Sequence, residues 1–310
     1  MRRSLAIAAV LILLSVLAPT ARPDSSPGSD GAAIQEPDSD RAVAEKAMRS
    51  YLRKARRDII AEDWAGELEN YGQAIAAAPA RAAGYLCRGI AFLDRKEFDH
   101  AVSDFAKVIE IADPDSSAGY VMRAAAWLAQ RDYVRAIADY DEVLAMGDDW
   151  LGYIGRGEAL LQVGEYDRAI GDLTKSIELE ARETAPQQPY HDLFSCPRSP
   201  RIVGGRDRLF GVDDSSGAAW GDEFAYRGAA WFYKTEYDRA LADIDRSMEL
   251  HGYSPVGNAY RGLIRLALGK CSMGFNDLKL AAHFAGVPFE QLLKNARPFV
   301  ASTDCAGKAP

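Results

Sequence analysis

The chain has 310 residues, 48% of them hydrophobic and 26% charged, which is enough apolar material for a packed core and excludes a wholly disordered chain. Its formal charge is −8, and Lys and Arg form no long cluster, so binding to a phosphate backbone is not expected. Cys87, Cys196, Cys271 and Cys305 form no Cys-X-X-Cys pair and no Cys/His cluster with zinc spacing, so no metal or cofactor is expected.

Met1-Arg2-Arg3 followed by the apolar run Leu5–Leu17 reads as a secretory signal, because the run is short for a membrane span of about 20 residues. The expected signal covers 1–21. Pro19 disfavours cleavage after either Ala18 or Ala21, which keeps an uncleaved N-terminal anchor as the alternative. An exported chain permits disulfides. Residues 22–40, rich in Pro, Ser, Gly and Asp, are expected to be a disordered linker, with helical periodicity from about Arg41.

From there the chain repeats itself. "YLCRGIAFLDRKEFDHAVSDF" from Tyr85, "YIGRGEALLQVGEYDRAIGDL" from Tyr153 and "AYRGAAWFYKTEYDRALADID" from Ala225 share an Arg-Gly, a pair of large residues and a later Asp. Aligned on one small residue per unit, Ala55, Gly89, Ala124, Gly157, Gly228 and Gly262 recur at gaps of 34, 35, 33, 71 and 34. Six units therefore start near Met48, Ala82, Ser117, Trp150, Gly221 and Pro255. Units one to four span 41–183, an insertion spans 184–220, and units five and six span 221–287.

The periodicity and its residues resemble the tetratricopeptide repeat family, in the form exported by bacteria. The resemblance rests on the first aromatic (Tyr51, Tyr85, Tyr120, Tyr153, Phe224) and on the large residue three after the small one (Phe92, Trp127, Leu160, Trp231). It rests also on the second-helix alanine (Ala101, Ala136, Ala169, Ala240) and the residue four later (Tyr71, Phe105, Tyr140, Leu173, Ile244, Leu278). It implies an all-α, right-handed α-solenoid of six helix–turn–helix units. The end units depart from it, with Glu67 for the alanine, Asp58 and Arg265 for the large residue, and Asn258 for the aromatic. Terminal repeats are often atypical. Small residues let the two helices of a hairpin cross, with Gly89 expected opposite Ala101 and Gly157 opposite Ala169.

Arg88, Arg123, Arg156, Arg227 and Arg261 are each followed 16 residues later by Asp104, Asp139, Asp172, Asp243 and Asp277. In an antiparallel hairpin these positions lie at similar height, so a bidentate bridge is expected within each unit or to its neighbour. Five equivalent pairs point to assembly rather than to catalysis, and no catalytic residue is assigned.

What the resemblance implies for binding is an inner face lined by the first helix of each hairpin. That set is Leu86, Ile90 and Leu93; Val121, Ala125 and Leu128; Ile154, Glu158 and Leu161; Ala225, Ala229, Phe232 and Tyr233; and Leu263 and Leu266. The face is largely apolar and lacks the Lys, Arg and Asn clamp for C-terminal carboxylates. It suits an amphipathic helix or apolar peptide, the chain's own insertion, or a second copy; equally, these residues read as inter-helix core.

The insertion reads as a loop with a short strand pair near 201–212. Its Arg201–Gly205, "RIVGG", looks like a trypsin-type activation junction, but helical repeats follow where a β-barrel enzyme is needed. His191 and Cys196 offer a nucleophile pair or half a metal site, against ordinary loop residues or a half-cystine for Cys196. Residues 288–310 are expected to form a capping helix and tail, with Cys271–Cys305 as the favoured disulfide because both belong to the final unit. The chain thus reads as a non-catalytic, extracytoplasmic scaffold for a protein or peptide. An enzymatic or ligand-binding module on the insertion, and a self-associating assembly element, are the alternatives.

Overall fold

In a computed structural model of the chain, the residues described here are 37–111, 116–181, 196, 223–251, 255–300 and 305. Among these described residues the chain is all-α, with thirteen helices. They are α1 (Pro37–Ile60), α2 (Trp64–Ala77), α3 (Ala82–Asp94), α4 (Phe98–Ile111), α5 (Ala118–Gln130), α6 (Tyr133–Met146), α7 (Trp150–Val163), α8 (Tyr166–Ala181), α9 (Glu223–Tyr233), α10 (Tyr237–His251), α11 (Pro255–Ala267), α12 (Cys271–Ala285) and α13 (Phe289–Val300). Consecutive helices pair into six hairpins, each packed on the next, and α13 closes the stack against α11 and α12. The expected signal, the 201–212 strand pair, His191 and all of the 184–220 insertion except Cys196 lie outside the described residues.

α1 begins at Pro37, inside the 22–40 stretch read as linker, and so extends the first unit toward the N-terminus. Composition misled there. Proline at the first helical position has no amide hydrogen to waste and a preset φ, so it starts a helix as readily as it marks a linker.

The hairpin turns explain why the units superpose in sequence. Glu62, Lys96, Arg131, Gly164, Thr235 and Gly269 hold the same turn position, all with left-handed φ between 57° and 86°. The following amide donates back five residues, as in Glu97 N to Phe92 O at 2.9 Å and Asp132 N to Trp127 O at 2.9 Å, which satisfies a terminal helix carbonyl. Asp63, Asp132 and Asp149 cap α2, α6 and α7 by accepting from Gly66 N, Arg135 N and Gly152 N at 3.0, 3.2 and 2.9 Å.

The repeated small residue meets a large side chain as well as the helix crossing that was expected. A Cβ on Gly89 would come 2.6 Å from the ring of Phe105, and one on Gly157 would come 2.7 Å from Leu173. The nearest facing atoms therefore belong to the large residue four positions after the alanine, and in the fifth unit a Cβ on Gly228 would also meet the backbone of the corresponding alanine, with Ala240 O at 3.1 Å. In the last hairpin the backbones themselves meet: a Cβ on Gly262 would lie 2.9 Å from Gly274 O. Gly262→Ala is expected to force α11 and α12 apart and lower stability by about 1–3 kcal/mol, measured by urea denaturation followed by circular dichroism.

The buried side chains form two large clusters. One runs from α1 to the start of α7 and includes Cys196; the other runs from the end of α7 to α13 and includes Cys305.

Candidate functional site

The recurrent charges lie between the two helices of each hairpin. Arg88 donates from Nε and Nη2 to the two carboxylate oxygens of Asp104 at 2.8 and 2.7 Å. Arg123 grips Asp139 at 2.9 and 2.7 Å, Arg156 grips Asp172 at 2.7 and 2.8 Å, and Arg227 grips Asp243 at 2.7 and 2.7 Å. Arg261 holds Asp277 more loosely, at 3.3 and 3.0 Å. All five are two-pronged guanidinium–carboxylate bonds within a unit. The hydrogen bonds to Asp104, Asp139 and Asp172 push the guanidinium pKa of Arg88, Arg123 and Arg156 above its usual value, against the opposing effect of burial. The first aromatic of the unit lies beside its Arg, with Tyr120 and Phe224 each 5.6 Å from the guanidinium carbon of Arg123 and Arg227.

Sequence reasoning missed the third prong. Arg156 Nη1 also donates to Asp141 at 2.6 Å, Arg227 Nη1 to Thr174 Oγ1 at 3.1 Å, and Arg261 Nη1 to Asp245 at 3.4 Å. Each acceptor belongs to the preceding unit, two residues after that unit's Asp. The signal was in the sequence: the same position holds Gly72 and Ala106 ahead of Arg88 and Arg123, residues without a side-chain acceptor.

The atypical end units keep the polar node and change its parts. In the first unit Asn70, in the Asp position, donates to Asp58 Oδ2 at 2.6 Å. In the last, Arg265 donates to Asp277 at 2.6 Å, and Arg261 Nη2 reaches Asn258 Oδ1 at 3.1 Å. Asp58, Arg265 and Asn258 look like lost consensus residues in sequence, yet they supply hydrogen-bond partners in the fold.

The inner positions are apolar and covered. Leu86, Ile90, Leu93, Val121, Ala125, Leu128, Ile154, Leu161, Ala225, Ala229, Phe232, Leu263 and Leu266 are all buried, as is Glu158, and Tyr233 is half-buried. Toward the C-terminal end part of this cover is α13, whose Phe299 ring lies 5.3 Å from Phe232 and 6.3 Å from Tyr233. Tyr233 also stacks on Tyr166 at 4.9 Å. At the other end Cys196 is buried in the cluster that contains Leu86, Ile90 and Val121, and is bonded to Cys87 of α3 with a Cα–Cα distance of 5.2 Å. Cys196 is therefore a half-cystine and not a nucleophile, because a bonded sulfur cannot form the thiolate that catalysis needs. The second bridge joins Cys271 to Cys305, Cα–Cα 5.3 Å, and ties the tail to the start of α12. Connectivity at Cys87 was not legible, since 109 residues separate it from Cys196.

Among the described residues no group of three or more His, Cys, Asp or Glu is arranged to hold a metal, and no helix is long and apolar enough to cross a membrane.

No family model matches the chain, and no curated protein matches it. Solved structures do. The APC/C hetero-tetramer Cut9–Hcn1 aligns with TM-score 0.61 and 12% identity over 84% of this chain and 46% of that one, so this chain spans less than half the length of that relative. PilW, described as a widely conserved type IV pilus biogenesis factor, aligns with TM-score 0.56 and 15% identity over 80% of this chain and 97% of PilW. A tetratricopeptide repeat protein from Parabacteroides merdae aligns with TM-score 0.47 and 19% identity over 81% of this chain and 99% of that one. Likeness at such identity speaks for the fold alone. The chain is a tetratricopeptide-like α-solenoid of stacked antiparallel helix pairs.

Proposed function

We propose that the chain is a non-catalytic, extracytoplasmic scaffold that holds an apolar protein segment on the inner face of its helical stack. The observation that carries this reading is the stack of six hairpins, whose inner positions are apolar across units two to six; most of them are covered by the chain itself, so a partner would meet half-buried neighbours such as Tyr233. Cys196, from outside the hairpins, is packed in the apolar cluster at one end of this face, which supports its use by non-repeat segments. Two disulfides favour an oxidising compartment, in keeping with the Arg2-Arg3 and Leu5–Leu17 leader. The recurrent Arg and Asp side chains bond to one another, which leaves them to assembly rather than chemistry. Cut9, which shares the fold, is found with Hcn1 in a hetero-tetramer.

The test is site-specific photo-crosslinking in the native envelope. A photoreactive amino acid at half-buried Ala129, one helical turn after Ala125 of the inner set, or at half-buried Tyr233 samples the inner face, and one at exposed Val134 samples the outside. The scaffold reading expects adducts of a distinct protein from the inner positions. Adducts from Val134 alone would displace the inner face as the binding surface. An adduct of twice the chain's own mass would replace a foreign partner with self-association.

A further inference from the structure

The helix that opens the stack carries a surface unlike the rest of the molecule. α1 holds seven Lys and Arg against four Asp and Glu, a net charge of +3, while the whole chain is −8, which leaves −11 to all other residues. At about 100° per residue, Lys46, Arg49, Arg53, Arg56 and Arg57 fall within an arc of about 100° on α1 and extend over about 16 Å. All five are exposed, and Ile60, on the same arc at the end of the helix, is 77% exposed. Met48, Leu52 and Ala55 turn the other way and are buried against the stack.

These cations are not spent on the fold. Glu45 is approached by Arg41, by Arg81 and, at 3.9 Å, by Arg49. Among the described residues Lys46, Arg53, Arg56 and Arg57 make no ion pair. The sequence alone shows only the short "LRKARR" at 52–57; the helix adds Lys46 and Arg49 to its face.

We propose that this face of α1 docks on an anionic phospholipid surface. A planar, negatively charged leaflet matches a single straight cationic stripe, and the strongly acidic remainder would be turned away from it by repulsion, which fixes an orientation. A nucleic acid would have to be held by this one stripe against repulsion from a −11 remainder that can follow it along the duplex. The chain outside the described residues points the same way. Nineteen residues, 18–36, separate the end of the apolar Leu5–Leu17 run from α1, a reach of at most about 65 Å. Whenever that run lies in a bilayer, α1 is the first described helix along the chain from it. Exposed Ile60 gives the stripe an apolar end that can enter the headgroup layer.

The test is vesicle co-sedimentation of the full chain at low salt. It compares phosphatidylcholine alone with vesicles holding roughly one-third phosphatidylglycerol. The wild-type chain is compared with Arg49→Gln/Arg53→Gln/Arg56→Gln and with the Arg→Lys triple at the same sites. Each cation near an anionic leaflet contributes about five-fold in partition, so the glutamine triple is expected to lose about 100-fold on anionic vesicles. It should bind neutral vesicles as the wild type does, because the N-terminal run is common to both. The lysine triple should bind like the wild type, and high salt should abolish the difference. Equal binding of the wild-type and glutamine chains to anionic vesicles would overturn the proposal. So would tighter binding of the wild type to duplex DNA than to those vesicles. Circular dichroism of both triples guards against misfolding. The outcome does not depend on whether the inner face holds a partner, so this proposal and the scaffold reading fail separately.

Discussion

Replacing Cys87 and Cys196 together by alanine is expected to destabilise the protein by about 5 kcal/mol, the loop-closure value for a bridge across 109 residues. For a chain of this size that is a fall in Tm of roughly 10–20 °C, read by scanning calorimetry on the oxidised protein. Alanine is the right replacement because both sulfurs lie in an apolar cluster, where a serine hydroxyl would add a cost of its own. The equivalent double alanine at Cys271 and Cys305 closes a separation of only 34 residues and should cost about 4 kcal/mol. The wild-type protein treated with a dithiol reductant should melt with the Cys87/Cys196 variant or below it. If the variant and the oxidised wild type melted together, the bridge would not be a constraint on the fold, and the packing of Cys196 near Leu86 and Val121 would lose its meaning.

Arg156→Ala is the second large effect. It removes two bonds to Asp172 and one to Asp141, and strands a carboxylate whose side chain is only 13% exposed. Leaving one member of such a pair behind costs about 3 kcal/mol, at the lower end of the range for buried pairs because the site is partly open. Arg156→Lys should recover only a fraction of this, since a single ammonium cannot make two parallel bonds to one carboxylate while reaching a third group. A double-mutant cycle with Asp172→Ala, followed in urea, isolates the pair and should give a coupling near 2 kcal/mol. If Arg156→Ala left stability untouched while abolishing crosslinks from Ala129 and Tyr233, the ladder would be a binding device instead of a structural one.

The hairpins were legible because each sets the same local problem: a left-handed turn, and a small residue where a large one must pass. These leave marks at fixed spacing. The Arg–Asp register was legible for the same reason, since a spacing of 16 in an antiparallel pair puts two side chains level. Three features were hidden. Phe105 is the side chain nearest Gly89, which was hidden because which side chain enters a gap depends on the helix's rotation about its axis, and periodicity alone leaves that open. The third prong of Arg156 joins residues of different units, so the pattern of one unit does not contain it. The bond from Cys87 to Cys196 crosses two full hairpins and leaves no local trace. The consensus departures at Asp58, Asn258 and Arg265 were visible but misread as losses, because a consensus counts residue types and the fold needs hydrogen-bond partners.

The third prong divides the stack unequally. Interfaces between units three and four, four and five, and five and six each carry a polar stitch from Arg156, Arg227 or Arg261, while Arg88 and Arg123 face Gly72 and Ala106 and provide none. In a linear array the weakest neighbour coupling decides where the ends begin to fray. Held near its midpoint of melting, the molecule should fray first at hairpin one, which lies outside the loop closed by Cys87–Cys196 and receives no such stitch from Arg88.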